Sequence, residues 1–360
     1  TVTLTVQDAA GNISTCKATV TVRDVTPPTA VCQNITVNLN SAGTVSITGA
    51  QINNGSTDAC GIASMSVTPS AFTCANVGAN TVTLTVTDVN GNSSTCTATV
   101  TVNDVTAPTA VCQNITVNLN PAGTVSITAA QINNESSDAC GIASLSVSPS
   151  SFTCAEVGAN TVTLTVTDVN GNSSTCTATV TVVDNTSPTA VCQNITINLS
   201  SSGTASITAS QINNGSSDNC GIASISVSPS TFNCSDVGAN TVTLIVTDVN
   251  GNSSTCTAIV TVQDHVAPTA LCQNISVNLN SSGTASITAA QINNGSFDNC
   301  GIASVTVSPS TFNCTNVGAN TVTLSVTDVN GNVSTCTGIV TVNDVTAPVA
   351  VCQNISVNLG

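Results

Sequence analysis

The chain contains no tryptophan and no tyrosine, and its 360 residues include only two basic side chains and one histidine. Each shortage removes a class of function. Lys17 and Arg23 are the basic pair, and a protein without a basic patch cannot neutralise phosphates, so nucleic acid and anionic membrane surfaces are excluded as partners. No apolar run approaches the roughly 20 residues that cross a bilayer, and none of the 360 residues form a signal-peptide pattern. With His265 as the only histidine, triads and histidine acid–base chemistry lack their usual base, so the chain is expected not to be an enzyme. His265 stands where the preceding linker has Val105 and reads as a tolerated loop substitution. Zinc needs close cysteine or histidine spacings, and the nearest cysteines, such as Cys60 and Cys74, are 14 positions apart.

What is present is repetition. TDVNGNSSTC occupies residues 87–96, 167–176 and 247–256, with looser copies QDAAGNISTC at 7–16 and TDVNGNVSTC at 327–336. The interval is 80 residues throughout. A fixed period means one structural unit stacked on itself. The expected organisation is a truncated repeat at 1–24, full repeats at 25–104, 105–184, 185–264 and 265–344, and a second truncated repeat at 345–360. Opening inside TVTLTV and closing at NISVNLG, the sequence reads as a window of a longer protein.

Within the unit 105–184, Val162, Leu164 and Val166 alternate with threonines, the period-two signature of a strand with one buried face. After the Asn170-Gly171 hairpin signal, Ala178, Val180 and Val182 continue the inward series. Upstream, Ile115, Val117 and Leu119, then Val125 and Ile127, mark two more strands, with a bend near Gln113 to bring Cys112 into phase. IASLSVS supplies another strand before the Ser148-Pro149-Ser150 turn, while 152–160 has no clear assignment and no helical pattern competes. These short alternating strands predict an all-β fold: tandem immunoglobulin-like antiparallel β-sandwiches forming an extended rod, about 35–40 Å per unit.

Eighteen cysteines at four per unit predict structural disulfides and an extracytoplasmic, cell-surface location. If the first and last strands of a unit run parallel side by side, Cys32 pairs with Cys96, Cys112 with Cys176, Cys192 with Cys256 and Cys272 with Cys336. The two cysteines flanking each proline turn would close a second, local bridge: Cys60 to Cys74, Cys140 to Cys154, Cys220 to Cys234 and Cys300 to Cys314. Cys16 and Cys352 are left without partners.

The run DVTAPTAVCQNITV, followed by DACG or DNCG and then VGANTVTLTVTDVNGNSSTC, resembles the hyalin repeat, an immunoglobulin-like module associated with cell adhesion. The resemblance covers every unit. It departs from the family pattern at Leu164, where an aromatic is usual, and in carrying the cysteine pair at Cys140 and Cys154. Near-identical tandem copies rich in Thr, Asn and Val further resemble the giant surface adhesins of Bacteroidota, including those of gliding bacteria. That resemblance implies export to the cell surface and an adhesin or tether role. The expected function is a spacer or stalk projecting an adhesive region, with neighbouring repeats as partners; the alternative is that the repeats themselves bind a glycan or other surface polymer.

Three features bear on these two readings. Thr163, Thr165 and Thr167 lie beside Thr177, Thr179 and Thr181 on one outer face, a grid that could meet a polysaccharide but also suits any solvated pleated surface. Sequons such as Asn114-Ile115-Thr116 and Asn172-Ser173-Ser174 are expected by chance in so polar a chain. The acids, in contrast, recur at fixed places. Asp8, Asp88, Asp168, Asp248 and Asp328 sit at the hairpin; Asp24, Asp104, Asp184, Asp264 and Asp344 in the linker; Asp58, Asp138, Asp218 and Asp298 in the turn before the CG pair. In the inferred topology these three positions meet at one end of each domain, and converging carboxylates call for a cation such as Ca²⁺, with Asn170 and Asn172 as further oxygen donors. Turn chemistry alone would also place Asp there.

Overall fold

The computed structural model describes residues 1–357; the last three residues of the fragment expected at 345–360 lie outside the described residues. The chain forms two compact units, Thr1–Asp184 and Asn185–Gly360. The first unit opens with a hairpin of β1 (Val2–Gln7) and β2 (Ile13–Ala18), then builds two copies of one sandwich.

The first copy shows the plan. Its strands are β3 (Ile35–Asn38), β4 (Thr44–Ser46), β5 (Ile62–Thr68), β6 (Ala71–Thr73), β7 (Gly78–Asp88) and β8 (Ser93–Asn103). One sheet has the order β3-β8-β7-β5 and the other pairs β4 with β6. β3 lies parallel to β8, with Ile35 opposite Val100, so the first and last strands of the copy are neighbours; the remaining pairs are antiparallel. The inner face follows from the alternation. Val82, Leu84 and Val86 of β7 and Val100 and Val102 of β8 are fully buried, and Phe72 from the small sheet closes over them with Ile47 and Ile52. A β-branched residue suits the pleat and threonine takes the outward positions, which is why the strand reads TVTLTVTD. Gly91 turns the β7–β8 hairpin at a φ of 93°, open to glycine but costly for other residues.

The second copy repeats the plan as β9 (Ile115–Asn118), β10 (Thr124–Ser126), β11 (Ile142–Ser148), β12 (Ser151–Thr153), β13 (Gly158–Asp168) and β14 (Ser173–Val183). In the unit Asn185–Gly360 the same order recurs twice, with long hairpins Gly238–Asp248 to Ser253–Gln263 and Gly318–Asp328 to Val333–Asn343. The chain is thus a series of tandem β-sandwich repeats.

Two local features were not visible in the pattern. The unassigned 152–160 stretch is the short strand β12, a 3₁₀ turn at Cys154–Glu156 and the start of β13. Ala129–Ile132 forms one helical turn, capped where the Thr128 backbone N–H donates to Gln131 Oε1 at 2.7 Å. Four residues are too few for a helical period to show.

Candidate functional site at the repeat junctions

The end of each copy that receives the linker is built by β-pairing. β5 begins at Ile62, opposite Asp88 at the end of β7, so the turn at 58–61 lies beside the β7–β8 hairpin turn. Val89 N–H donates to Gly61 O at 3.1 Å across that gap. The linker is drawn to the same place: Asn92 Nδ2 donates to Asp24 O at 3.2 Å, and the Ser94 hydroxyl donates to Pro28 O. The second copy repeats both contacts, from Asn172 to Asp104 O and from Ser174 to Pro108 O. Sequence positions 34 and 64 residues apart therefore meet at each junction.

The aspartates at this end do different work. Asp88 Oδ1 accepts the backbone N–H groups of Asn90 and Asn92, both at 2.8 Å, and Oδ2 accepts Asn92 Nδ2 at 2.7 Å. Burial raises its carboxyl pKa, but these donors more than offset that and hold it below the ordinary range. Asp168 and Asp248 are held down in the same way. The hairpin aspartates are thus each held by their own turn, with Oδ1 accepting two donors and Oδ2 one. Asp58 Oδ1 accepts Cys60 N–H at 2.7 Å, Asp138 Oδ1 accepts Cys140 N–H at 2.8 Å and Asp218 Oδ2 accepts Cys220 N–H at 2.8 Å.

The linker aspartates complete the clusters. Carboxylate oxygens of Asp264, Asp298 and Asp328 lie within 4.8 Å of one another, and Asp104 lies as close to Asp138, as Asp24 does to Asp58. Asp104 is 8% exposed and its Oδ2 has no hydrogen-bond partner. Asp298 Oδ1 and Asn299 Oδ1 are likewise buried and unpartnered. An orphaned buried carboxylate oxygen costs several kcal/mol in general unless a cation or donor meets it. The cluster of Asp264, Asp298 and Asp328 offers oxygen alone, the set that hard divalent cations take, whereas Asp24 with Asp58 and Asp104 with Asp138 each have a sulfur, of Cys60 and of Cys140, as close by. The hairpin asparagines, expected as oxygen donors, instead present their NH₂ groups: Asn172 Nδ2 to Asp168 Oδ2 at 2.8 Å and Asn330 Nδ2 to Asp264 Oδ2 at 2.7 Å.

At the first junction Asp24 is held below its ordinary pKa by the Thr26 backbone N–H, the Cys60 thiol and the Asn90 amide. The hydrogen bond to Asp24 and its negative charge push the Cys60 thiol up.

The cysteines overturn half of the expected pairing. Cys32–Cys96, Cys112–Cys176, Cys192–Cys256 and Cys272–Cys336 are bonded, each across 64 residues. The local bridges are absent. Cys74 is bonded to Cys140 and Cys234 to Cys300, each across 66 residues, so the second bridge joins one copy to the next. Cys154 and Cys220 are also disulfide-bonded, while Cys60 and Cys314 are free and exposed, as are Cys16 and Cys352. The reason is strand length. Between Cys140 and Cys154 the seven-residue β11 runs about 23 Å away from the junction, and the three-residue β12 does not return. A disulfide spans at most about 7 Å between Cα atoms. Cys140 and Cys154 therefore sit at opposite ends of one copy, and each reaches the end nearest to it.

Gly43 shows how closely the copies approach. A Cβ there would lie 2.7 Å from Cys74 Sγ and 3.2 Å from the Ala139 Cβ of the following copy. In the other unit Gly203 meets Cys234 Sγ and Asn299 O in the same manner. Asn299 Nδ2 donates to Ser200 O at 3.3 Å and to Asp264 Oδ1 at 3.2 Å, tying the preceding copy to the linker.

His265, the one histidine, is exposed and shares a 3.1 Å hydrogen bond with Gln263 Oε1. Among the described residues no helix is long and apolar enough to cross a membrane.

No protein-family model matches the chain. Among curated proteins it is 30% identical to Hyalin of the sea urchin Strongylocentrotus purpuratus over an alignment of 386 positions, which covers 98% of this chain and 31% of Hyalin. The chain thus spans about a third of the length of that relative. Solved structures to which the chain is similar include extracellular cadherin domains 1–4 of protocadherin gamma B7, 14% identical over 74% of this chain and 84% of that one, with a TM-score of 0.29. Sidekick-1 immunoglobulin domains 1–5 are 8% identical over 88% of this chain and 80% of that one, with a TM-score of 0.30. The repeated residues and the match to Hyalin together support a hyalin-repeat-like family for this chain.

Proposed function

We propose that the chain is a spacer segment of an extracellular adhesion-type repeat protein, with calcium bound at its junctions. The observation that carries the reading is the bridge between successive copies, Cys74–Cys140 and Cys234–Cys300. A covalent joint between neighbours holds their relation fixed, which serves a part that transmits position better than one that turns over substrate. Disulfides of this density belong to oxidising compartments, and the similarity to Hyalin supports an adhesion setting. The residues that would hold calcium are Asp104 with Asp138, Asp264 with Asp298 and Asp328, and Asp24 with Asp58. A bound divalent ion would neutralise the facing carboxylates and satisfy Asp104 Oδ2.

Thermal unfolding with calcium and with chelator, beside Asp104→Asn, tests the ion. The expected result is a melting point raised by calcium in the parent chain and less so in the variant. Identical melting points throughout would leave these aspartates as turn residues.

The second reading, glycan binding, is favoured by one surface. On the outer face of the large sheet Ser146, Thr165 and Thr175 lie in line across three strands, as do Ser148, Thr163 and Thr177. Glycan-array binding of the four-repeat chain against a single repeat separates the two: avidity that rises with copy number supports binding, and no binding by either supports the spacer.

A further inference from the structure

The disulfides decide which residues feel a pull along the chain. Cys112 and Cys176 are bonded, so tension that arrives at Cys112 crosses the sulfurs to Cys176 and leaves along β14. The 63 residues between them hang outside that path. The next bonded cysteine is Cys192, 16 positions further on, since the period of 80 less the bridged 64 leaves 16. The same holds from Cys96 to Cys112 and from Cys256 to Cys272. The bridge Cys74–Cys140 offers a parallel route, but it needs 22 residues back from Cys96 and 28 back from Cys140 to Cys112, against 16 for the direct one. It stays slack while the direct segment is taut.

We infer that the array is a tension-bearing thread in which only 16 of every 80 residues carry load, so that complete unfolding of a repeat lengthens it by about 20 Å rather than by hundreds. The inference rests on the spacer reading and gives that spacer a mechanical property. The loaded segment is already extended. From Cys96 it runs through β8, hydrogen-bonded to β7 on one side and β3 on the other, and then through the linker to Cys112. The linker is pinned by Asn172 at Asp104 O and by Ser174 at Pro108 O. Residues reach about 3.5 Å each when fully extended, so 16 residues and one bridge span about 60 Å per repeat. Eighty unbridged residues would span about 280 Å. Loss of the core therefore costs the tether little of its set length, and refolding starts from a chain held within that limit.

Single-molecule stretching of the whole 360-residue chain, attached at its two ends, tests this in three states: native, oxidised in denaturant, and reduced in denaturant. The expected contour length in denaturant is about 60 Å per repeat when oxidised and about 280 Å when reduced, a near fivefold difference. The native oxidised chain should show no unfolding step longer than about 60 Å. Equal contour lengths for oxidised and reduced chains, or native steps near 220 Å, would overturn the inference. Neither outcome touches the spacer reading itself, which stands or falls on the glycan-array comparison.

Discussion

The junction before Asp138 and the junction before Asp298 share a linker aspartate, a hairpin aspartate and a bridge to the preceding copy, yet differ at the residue next to the bonded cysteine: Ala139 in one, Asn299 in the other. In the first, the linker carboxylate is left short on one oxygen. Asp104 Oδ1 accepts the Thr106 N–H, but Oδ2 is buried without a partner. In the second, the equivalent carboxylate is met on both oxygens, by Asn299 Nδ2 on Oδ1 and by the hairpin's Asn330 Nδ2 on Oδ2, so Asn299 accounts for the first contact alone. The unmet oxygens move to Asp298 and Asn299 themselves. A buried linker carboxylate thus has two remedies, a neighbouring amide or a cation, and the two junctions lean on them to different degrees.

The largest effect should come from the part the junctions share. Cys74→Ser with Cys140→Ser opens a closed loop of 66 residues, worth about 4 kcal/mol in the chain-entropy account. The Cys234→Ser and Cys300→Ser pair should cost the same. Hydrogen exchange across each junction reads both, and a large inequality would show that the amide at Asn299 carries part of the joint.

Next comes the hairpin carboxylate. In Asp168→Asn one carboxylate oxygen becomes an NH₂ group among three N–H donors, so about 2 kcal/mol should be lost. The pH dependence has a definite sign. The Asp168 carboxyl lies below its ordinary value of 3.8 when folded, so its stabilisation is complete above that value and fades as the pH falls through the lowered one. Acid unfolding followed by circular dichroism should therefore steepen below pH 3.8 in the parent and flatten in Asp168→Asn. An unchanged acid limb would remove this carboxylate from the account.

The exchange at the variable position sharpens the comparison directly. Ala139→Asn offers Asp104 an amide donor and should lessen the loss of protection that chelator causes at residues 104–112. Asn299→Ala removes a donor from Asp264 and should deepen that loss at residues 264–272, each by about threefold to tenfold in exchange rate, the reach of one hydrogen bond. Equal chelator sensitivity in parent and both variants would show that cation and amide are not alternatives here.

Much of this architecture was legible in the sequence because alternation reports burial directly. Val162, Leu164, Val166, Val180 and Val182 read as inward and are buried to within 1%. The parallel closure of β9 on β14 follows from the immunoglobulin-like order and brings Cys112 to Cys176. The second bridge was hidden because a fixed period cannot distinguish a partner within a copy from one in the next. Cys140 is 14 positions from Cys154 and 66 from Cys74, and only the length of β11 against β12 decides. The expected convergence of three carboxylates is met at Asp264, Asp298 and Asp328, whereas Asp88 and Asp168 stand outside the clusters of Asp24 with Asp58 and Asp104 with Asp138; the turn that engages Asp168 and the orphaned oxygen of Asp104 depend on side-chain geometry that composition does not carry.

The smallest expected effect concerns a second place where the two copies differ. In the turn after the short helix, three copies have glycine with positive φ, at Gly55, Gly215 and Gly295, while the copy with Ala139 has Glu135 at a φ of 63°. That backbone region crowds a Cβ against the neighbouring carbonyl and costs a non-glycine residue about 1 kcal/mol. Glycine at this position escapes the clash but gives the unfolded chain more freedom, which offsets part of the gain. The side chain of Glu135 is exposed and adds one negative charge to a chain already at −15. Glu135→Gly should therefore stabilise its copy by somewhat under about 1 kcal/mol. Gly295→Glu should destabilise the other copy by a similar amount. Denaturant midpoints of the two variants, shifted in opposite directions, are the expected result; a fall in both would mean that Glu135 makes a contribution its backbone does not explain.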